Sequence, residues 1–171
     1  MDRTRSEPIR VELLADRPDL LISLARIRWR EWGDEPGRED LQWHIDATRR
    51  ETGRTALPVT FVATDGAGEA VGGVGLTRTD LPELADRGPW VVGAIVHPQR
   101  RGYGIGTALV TSLKQWSIRT GIGQLWVATG GRAIDFYRRC GFDLTEVFTL
   151  SNGESPTILH AQLPGMTHDA A

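Results

Sequence analysis

Cysteine is almost absent from this sequence of 171 residues, which has one, Cys140. One thiol cannot form an intramolecular disulfide, and the four histidines show no CxxC or HExxH spacing, so no disulfide framework and no metal site are expected. The longest apolar run, residues 90–96, is too short to cross a membrane, and residues 1–10 lack the apolar centre of a signal peptide. These absences predict a cytoplasmic protein with no membrane partner.

A strong charge of either sign is also lacking. The 20 basic and 22 acidic side chains leave a formal charge of -2, so nucleic acid is not an expected partner. With 40% hydrophobic and 25% charged residues, the composition is that of an ordinary globular protein large enough to bury a core. We expect one domain over residues 1–163 and a frayed tail over residues 164–171.

Hydrophobic periodicity predicts two helices ahead of the main sheet. A first strand over residues 9–14 is followed by a helix that ends near Trp32 and Gly33, and a second helix over residues 38–52 is closed by Gly53. The next segments, residues 58–64 and 70–77, form a predicted hairpin. The apolar segment 90–96 is then expected to be a strand buried on both faces.

Sequence patterns in the second half of the chain predict helices that alternate with strands. A long helix begins near Ile105, with apolar side chains at helical spacing. It is followed by a strand over residues 124–129 and a short helix over residues 132–140. Residues 142–150 and 157–162 form a predicted closing antiparallel pair.

A glycine-rich bend joins the apolar strand to the long helix. Gly102, Gly104 and Gly106 alternate where that helix begins, so the backbone is bare and the first N–H groups of the helix have no partner within it. Such a bend can cradle a phosphate, although it can also serve only to let elements pack closely. Arg100 and Arg101 precede it and no Asp or Glu occurs in residues 104–134, which favours an anion site.

The nature of the anion follows from what is missing. A dinucleotide site needs an acidic residue about 20 residues beyond its glycines, and the acid-free stretch has none. A P-loop needs Gly-Lys-Ser/Thr, whereas Lys114 is followed by Gln115. NAD, ATP and GTP are therefore disfavoured.

Two motifs resemble those of the GNAT superfamily of acyl-CoA-dependent N-acetyltransferases. Residues 101–106 match the pattern Arg/Gln-x-x-Gly-x-Gly/Ala, and residues 133–142 match Ala-x-x-Phe-Tyr-x-x-x-Gly-Phe. The resemblance extends over residues 8–163. It implies an α/β (α+β) GNAT fold, with a mixed sheet of about seven strands splayed at the cofactor cleft and about four flanking helices.

The resemblance implies acetyl-CoA as the acyl donor, lying between the strands 90–96 and 124–129. Backbone groups of the first strand would pair with its pantetheine amides, and the pyrophosphate would lie on N–H groups after that strand. Where the family often has Asn, this chain has Gly130, and either the Gly130 backbone or the Arg132 guanidinium would replace that contact. The cofactor-binding residues so implied are Ala94, Ile95, Val96, Arg101, Gly102, Tyr103, Gly104, Ile105, Gly106, Thr107 and Arg132.

Tyr137 of the second motif is predicted as the acid that protonates the departing CoA thiolate, and packing beside the cofactor without donating is the alternative. The amine is expected to attack the thioester directly, with a backbone N–H near Ile95 stabilising the oxyanion and no acyl-enzyme.

A carboxylate is needed to take the proton of an ammonium acceptor. The candidates are Glu31, Asp80, Glu83 and Asp86. Glu31 is favoured because it lies next to Trp32, on the element that lines the acceptor cleft in this superfamily.

An acidic cleft mouth favours a small cationic metabolite or antibiotic as the amine substrate. Its expected members are Glu31, Glu35, Asp80, Glu83 and Asp86. A protein N-terminal or lysine acetyltransferase and a non-catalytic acyl-CoA-binding sensor are the alternatives. The resemblance also allows a homodimer.

Overall fold

One sheet of seven strands organises the computed structural model, which describes residues 8–165. Its order is β1-β2-β3-β4-β5-β7-β6, and every neighbouring pair is antiparallel except β4 and β5, which are parallel. The strands are β1 (Arg10–Leu13), β2 (Val59–Thr64), β3 (Ala70–Thr77), β4 (Trp90–Val96), β5 (Gln124–Thr129), β6 (Asp143–Val147) and β7 (Thr157–Gln162). The predicted mixed sheet is confirmed, whereas most of the predicted tail, residues 166–171, lies outside the described residues.

In residues 8–165, four α-helices flank the sheet, as predicted. They are α1 (Leu21–Trp32), α2 (Leu41–Arg50), α3 (Ile105–Arg119) and α4 (Ala133–Arg139). A short 3-10 turn that starts at Pro18 leads into α1, and the Asp40 side chain caps α2 by accepting a 3.0 Å hydrogen bond from the Gln42 N–H. Among residues 8–165, no helix has the length and apolar character that crossing a membrane requires.

The end of α2 differs from the prediction. The helix stops at Arg50 with Glu51 as its C-cap, so Gly53 does not close it. Gly53 instead allows two chain segments to approach, because a Cβ there would lie 2.2 Å from the carbonyl oxygen of Ala56. A glycine shortly after a helical pattern can thus serve a contact that the local sequence does not show.

Two glycines of β3 fix the distance of the helices on both sheet faces. A Cβ at Gly72 would meet Leu109 of α3 at 3.3 Å, and a Cβ at Gly73 would meet Leu24 of α1 at 2.7 Å. Leu109 belongs to the larger apolar core and Leu24 to a second core on the other face. Both helices therefore pack closely on the centre of the sheet.

The sheet opens between β4 and β5. These strands form one residue pair, Trp90 with Trp126, and separate beyond it, which confirms the expected splay. Trp90 is buried, but Val92, Gly93 and Ala94 are only half-buried and line the opening. The expectation that β4 is covered on both faces is therefore wrong in its central part, because an apolar run does not reveal where a neighbouring strand diverges.

Candidate active site

A cleft of about 950 Å³ lies where β4 and β5 separate. Its walls come from α1, α2, the segment after β3, the central part of β4, the end of β5 and α4. The cleft brings together Glu31, Asp80, Ala94 and Tyr137, which are separated in sequence and were all predicted site residues. The predicted glycine-rich bend follows β4 directly and starts α3.

The backbone of the bend offers a row of hydrogen-bond donors. Within residues 8–165, no backbone N–H from Arg101 to Thr107 donates a hydrogen bond, and the α3 ladder starts only with the 3.0 Å bond from the Ala108 N–H to the Gly104 carbonyl. Gly102 and Gly104 have φ of 84° and 80°, and a Cβ at either would meet nothing within 4 Å. Unpaired donors at a helix N-terminus with open space beside them suit an anion.

Both arginines before the bend are already paired with carboxylates. Arg100 lies 3.2 Å from Asp65, and Arg101 lies 3.0 Å from Glu31. The expected local excess of positive charge is therefore offset, because these partners are distant in sequence. Anion affinity at this site rests on the N–H groups and the helix dipole rather than on these two guanidiniums.

Arg132 has the other predicted guanidinium on the cofactor side. It holds the N-cap position of α4, and its side chain forms no hydrogen bond or ion pair in the described part of the chain. Gly130 lines the cleft at the end of β5. Arg132 is thus exposed next to the cleft.

Tyr137 lies in the wall of the cleft on α4. It is 5% exposed, and the centre of its ring lies 5.1 Å from the ring centre of Phe136 and 5.4 Å from that of Phe142. Burial raises the pKa of the phenol above its usual range, and Cys140 adds to the increase. The hydroxyl has no hydrogen-bond partner among residues 8–165, so Tyr137 presents a protonated donor to the cleft.

Phe136, the neighbour of Tyr137, packs against the larger apolar core. It is half-buried, less so than Tyr137, and its ring lies against the start of α3. A Cβ at Gly106 would approach two carbons of that ring to 3.1 Å. Phe136 therefore packs α4 against the bend that carries the unpaired N–H groups.

Acidic side chains dominate the charge of the cleft. Its lining contains five carboxylates but two guanidiniums, those of Arg28 and Arg38. The carboxylates belong to Glu31, Glu35, Glu51, Asp80 and Glu154. The predicted acidic mouth is present, and it includes three of its predicted members, Glu31, Glu35 and Asp80.

Two predicted members of the mouth lie elsewhere. Neither Glu83 nor Asp86 lines the cleft, and the Glu83 carboxylate accepts a 2.7 Å hydrogen bond from the Ser151 hydroxyl. Glu51 and Glu154 line the cleft instead. These two residues come from α2 and from the turn between β6 and β7, which no local motif connects.

Three of the five cleft carboxylates have guanidinium partners. Glu31 lies 3.0 Å from Arg101, Glu35 lies 2.7 Å from Arg38, and Glu51 lies 3.2 Å from Arg28. Asp80 forms no such ion pair within residues 8–165. Loss of hydration raises the pKa of Asp80, the Arg38 charge opposes this, and the Glu51 charge raises it further. Asp80 is exposed at the cleft, and its carboxylate is free of an ion pair within the described residues.

Two indoles complete the wall on the side of α1 and α2. Trp32 and Trp43 line the cleft, and Trp43 is 40% exposed with the Arg38 guanidinium 5.4 Å from its ring centre. This contact shows that the indole face can accept a cation. Trp43 was not predicted as a site residue, because nothing near it in the chain points to a site.

Comparison with known proteins agrees with this geometry. Residues 20–142 match the family described as the acetyltransferase (GNAT) family. The chain belongs to the GNAT acetyltransferase family. Its class is therefore that of acyl-CoA-dependent N-acyltransferases, and the family uses acetyl-CoA.

Solved structures share the fold of this GNAT protein at low sequence identity. An aminoglycoside 6'-acetyltransferase type Ii is 19% identical, with a TM-score of 0.73 over 91% of this chain and 98% of that one. An aminoglycoside 6'-N-acetyltransferase complexed with coenzyme A is 18% identical, with a TM-score of 0.71 over 91% and 98%. A spermidine N-acetyltransferase chimera from Vibrio cholerae is 14% identical, with a TM-score of 0.68 over 90% and 95%. A search for relatives among curated proteins finds no match.

Proposed function

We propose that this GNAT protein transfers the acetyl group of acetyl-CoA to a primary amine of a small cationic metabolite or antibiotic. The observation that carries the proposal is the charge of the cleft, where two of the five lining carboxylates, Asp80 and Glu154, have no guanidinium partner among the described residues. Such a cleft attracts an ammonium group and concentrates it near the reacting atoms. The exposed face of Trp43 adds a surface on which a cation can stack.

The names of the structural neighbours support the same substrate class. Two are aminoglycoside 6'-acetyltransferases and one is a spermidine N-acetyltransferase. Their identities to this chain are 14% to 19%, so the support is for the kind of amine and not for a particular molecule.

The described residues fit acetyl-CoA, which when bound supplies an activated acetyl thioester. The N–H groups of residues 101–107 have no partner in the described chain and would hold the diphosphate, with Arg132 beside them. Backbone N–H and carbonyl groups of Ala94, Ile95 and Val96 would form hydrogen bonds with the amides of the pantetheine arm, along the edge that β5 leaves open.

Tyr137 would act at the leaving sulfur. Because the pKa of its buried phenol lies above that of a thiol, complete proton transfer to a thiolate is uphill. The role that suits this phenol is a hydrogen bond donated to sulfur as negative charge develops there, which requires the protonated form that burial favours. Tyr137 therefore remains the proposed catalytic residue, and it acts as a hydrogen-bond donor that keeps its proton.

The proton of the acceptor ammonium needs a base, for which the sequence favours Glu31. Glu31 lines the cleft, but its carboxylate is paired with Arg101. Asp80, also a candidate from the sequence, has no such partner among residues 8–165 and a raised pKa. We therefore assign the base role to Asp80, acting directly or through a water molecule, and an electrostatic role to Glu31.

The amine would attack the thioester carbonyl directly, so no acyl-enzyme forms. Backbone N–H groups of β4 near Ile95 would stabilise the oxyanion, since the preceding residues of β4, up to Ala94, line the cleft. This arrangement requires both substrates in the cleft together.

A thiol-release assay with acetyl-CoA and a panel of amines tests the function. Polyamines, aminoglycosides, amino acids and short peptides with free amines form the panel, with acetyl-CoA alone as the blank. We expect release with polycationic small molecules and little with peptides or zwitterions. Release confined to peptides would favour a protein acetyltransferase, and no release in the presence of bound acetyl-CoA would favour a sensor.

A further inference from the structure

A bulge interrupts β4 in the wall of the cleft. Val92 and Ile95 pair with residues of β3 that are two positions apart, so Gly93 and Ala94 together face Val74. Gly93 has φ of 58°, in the left-handed region that glycine adopts readily. Such bulges bend a strand and redirect its backbone groups. This one lies beside the backbone that is proposed to meet the acyl carbonyl.

A guanidinium fills the space that a side chain at position 93 would occupy. A Cβ at Gly93 would lie 2.7 Å from Nη2, 3.0 Å from Cζ and 3.2 Å from Nε of Arg28 on α1. The planar group therefore packs directly on the backbone of the bulge. Glycine is required there for the close approach as well as for φ.

Arg28 is held in place from the side opposite Gly93. Its Nη1 donates a 3.1 Å hydrogen bond to the hydroxyl of buried Thr48 and a 3.2 Å hydrogen bond to Glu51. The Glu51 carboxylate in turn accepts a 3.3 Å hydrogen bond from the hydroxyl of Thr60. The contact thus connects α1, α2 and β2 to one point of β4.

A purely structural role does not explain why the charged side chain of Arg28 is buried at this position. Arg28 is 5% exposed, its Nε and Nη2 have no hydrogen-bond partner in the described residues, and loss of hydration lowers its pKa while Glu51 opposes that change. An apolar side chain of similar length often packs in such a place at equal or lower free energy. Buried donors without partners are rare in folded proteins, and a functional role is one explanation for them.

We propose that Arg28 is a positioning residue for acetyl transfer, whose guanidinium plane fixes the bulge at Gly93 and Ala94 and so aims the β4 backbone at the acyl carbonyl. This inference rests on the proposed function. Arg28 acts through the shape of the backbone and need not touch a substrate. A shift of about 1 Å in a reacting group can lower a rate by about 100-fold, so a small relaxation of the bulge suffices.

Kinetics of Arg28→Met and Arg28→Lys test the proposal, with Arg26→Met as the matched control, since Arg26 is exposed on the same helix. We expect kcat to fall by about 100-fold in both Arg28 variants, while KM for the amine and the Kd for acetyl-CoA change by less than about threefold. Lysine keeps the charge but has no plane, so it should not rescue kcat. Wild-type kcat in Arg28→Lys would overturn the proposal.

Amide hydrogen exchange of the ligand-free protein gives a second readout that needs no turnover. Exchange at residues 92–95 should be faster in Arg28→Met than in Arg26→Met, while exchange in α3 stays the same. If the wild type acetylates no amine, the proposed function fails and exchange alone decides the role of Arg28. Unchanged exchange, or a kcat within threefold of wild type, would overturn the role. Should Arg28→Met fail to fold, Gly93→Ala tests the same contact from β4, with the same loss of kcat expected.

Discussion

The two halves of the candidate site differ in whether backbone or side chains form them. The half proposed for the coenzyme consists of backbone N–H groups over residues 101–107 and of the open edge of β4. The half proposed for the amine consists of side chains such as Glu51 and Asp80, which come from α2 and from the segment after β3. A backbone site needs glycines at fixed spacing and is visible in one stretch of sequence, whereas a side-chain site forms only when distant elements meet.

The largest effect is expected at the point where the halves meet. Tyr137→Phe removes the hydroxyl that is proposed to stabilise the departing sulfur, and should lower kcat by about 1000-fold while the Kd for acetyl-CoA stays within about threefold. Stopped-flow thiol release and calorimetric titration measure the two quantities. Thr149→Val, which removes an exposed hydroxyl bonded to Ser155, is the control. A loss of coenzyme binding equal to the loss of rate would reduce Tyr137 to a packing residue.

Removing the proposed base should have the next largest effect. Asp80→Asn is expected to lower kcat/KM by about 100-fold, because an amide cannot accept the ammonium proton. Asp86→Asn is the matched control, since Asp86 lies outside the cleft. Equal activities of the two variants would remove Asp80 from the mechanism.

The pH dependence sharpens the same assignment. A base works when deprotonated, and the pKa of Asp80 is raised above its usual value of 3.8, so the acidic fall of kcat/KM should be centred above that value. The raised pKa also means that ionised Asp80 opposes folding, which it does above pH 3.8 and not below. Asp80→Asn should therefore be slightly more stable than wild type at pH 7 and equal to it at pH 3, as denaturant titrations can measure.

A smaller effect is expected when a negative charge is added to the glycine-rich bend. Asp and Asn both tolerate the φ of 80° at Gly104, so Gly104→Asp and Gly104→Asn differ in one charge. Gly104→Asp should bind acetyl-CoA about tenfold more weakly than Gly104→Asn, with the difference shrinking in high salt. Gly121, which has φ of 84° and open space around it, provides the same pair of variants away from the cleft. Equal affinities of the Gly104 pair would place the diphosphate elsewhere.

The smallest effect is expected for the variant that tests whether Asp80 or Glu31 is the base. Glu31→Gln breaks an exposed ion pair with Arg101, and such pairs contribute little, so kcat should change by less than about threefold. A loss near 100-fold would return the base role to Glu31.

The sequence predicted the backbone half better than the side-chain half for a physical reason. The bounds of β3, β4 and β5 agree with the predicted segments, and the backbone N–H groups of the bend at Gly102 and Gly104 donate no hydrogen bond within the described residues. Two features were not predicted from the sequence. They are the pairing of Arg100 and Arg101 with carboxylates and the bulge against which Arg28 packs. Gly93 within an apolar strand was the one local signal of that bulge, since glycine in a strand often marks a close approach.

The central claim is that the unpaired N–H groups of the bend hold the diphosphate and leave the thioester within reach of one phenol. A crystal structure of the protein with acetyl-CoA tests it most directly. We expect diphosphate oxygens within hydrogen-bond distance of N–H groups in residues 101–107 and the sulfur in contact with the Tyr137 hydroxyl. A coenzyme bound away from the bend, or a bend whose N–H groups are capped by protein side chains, would contradict it.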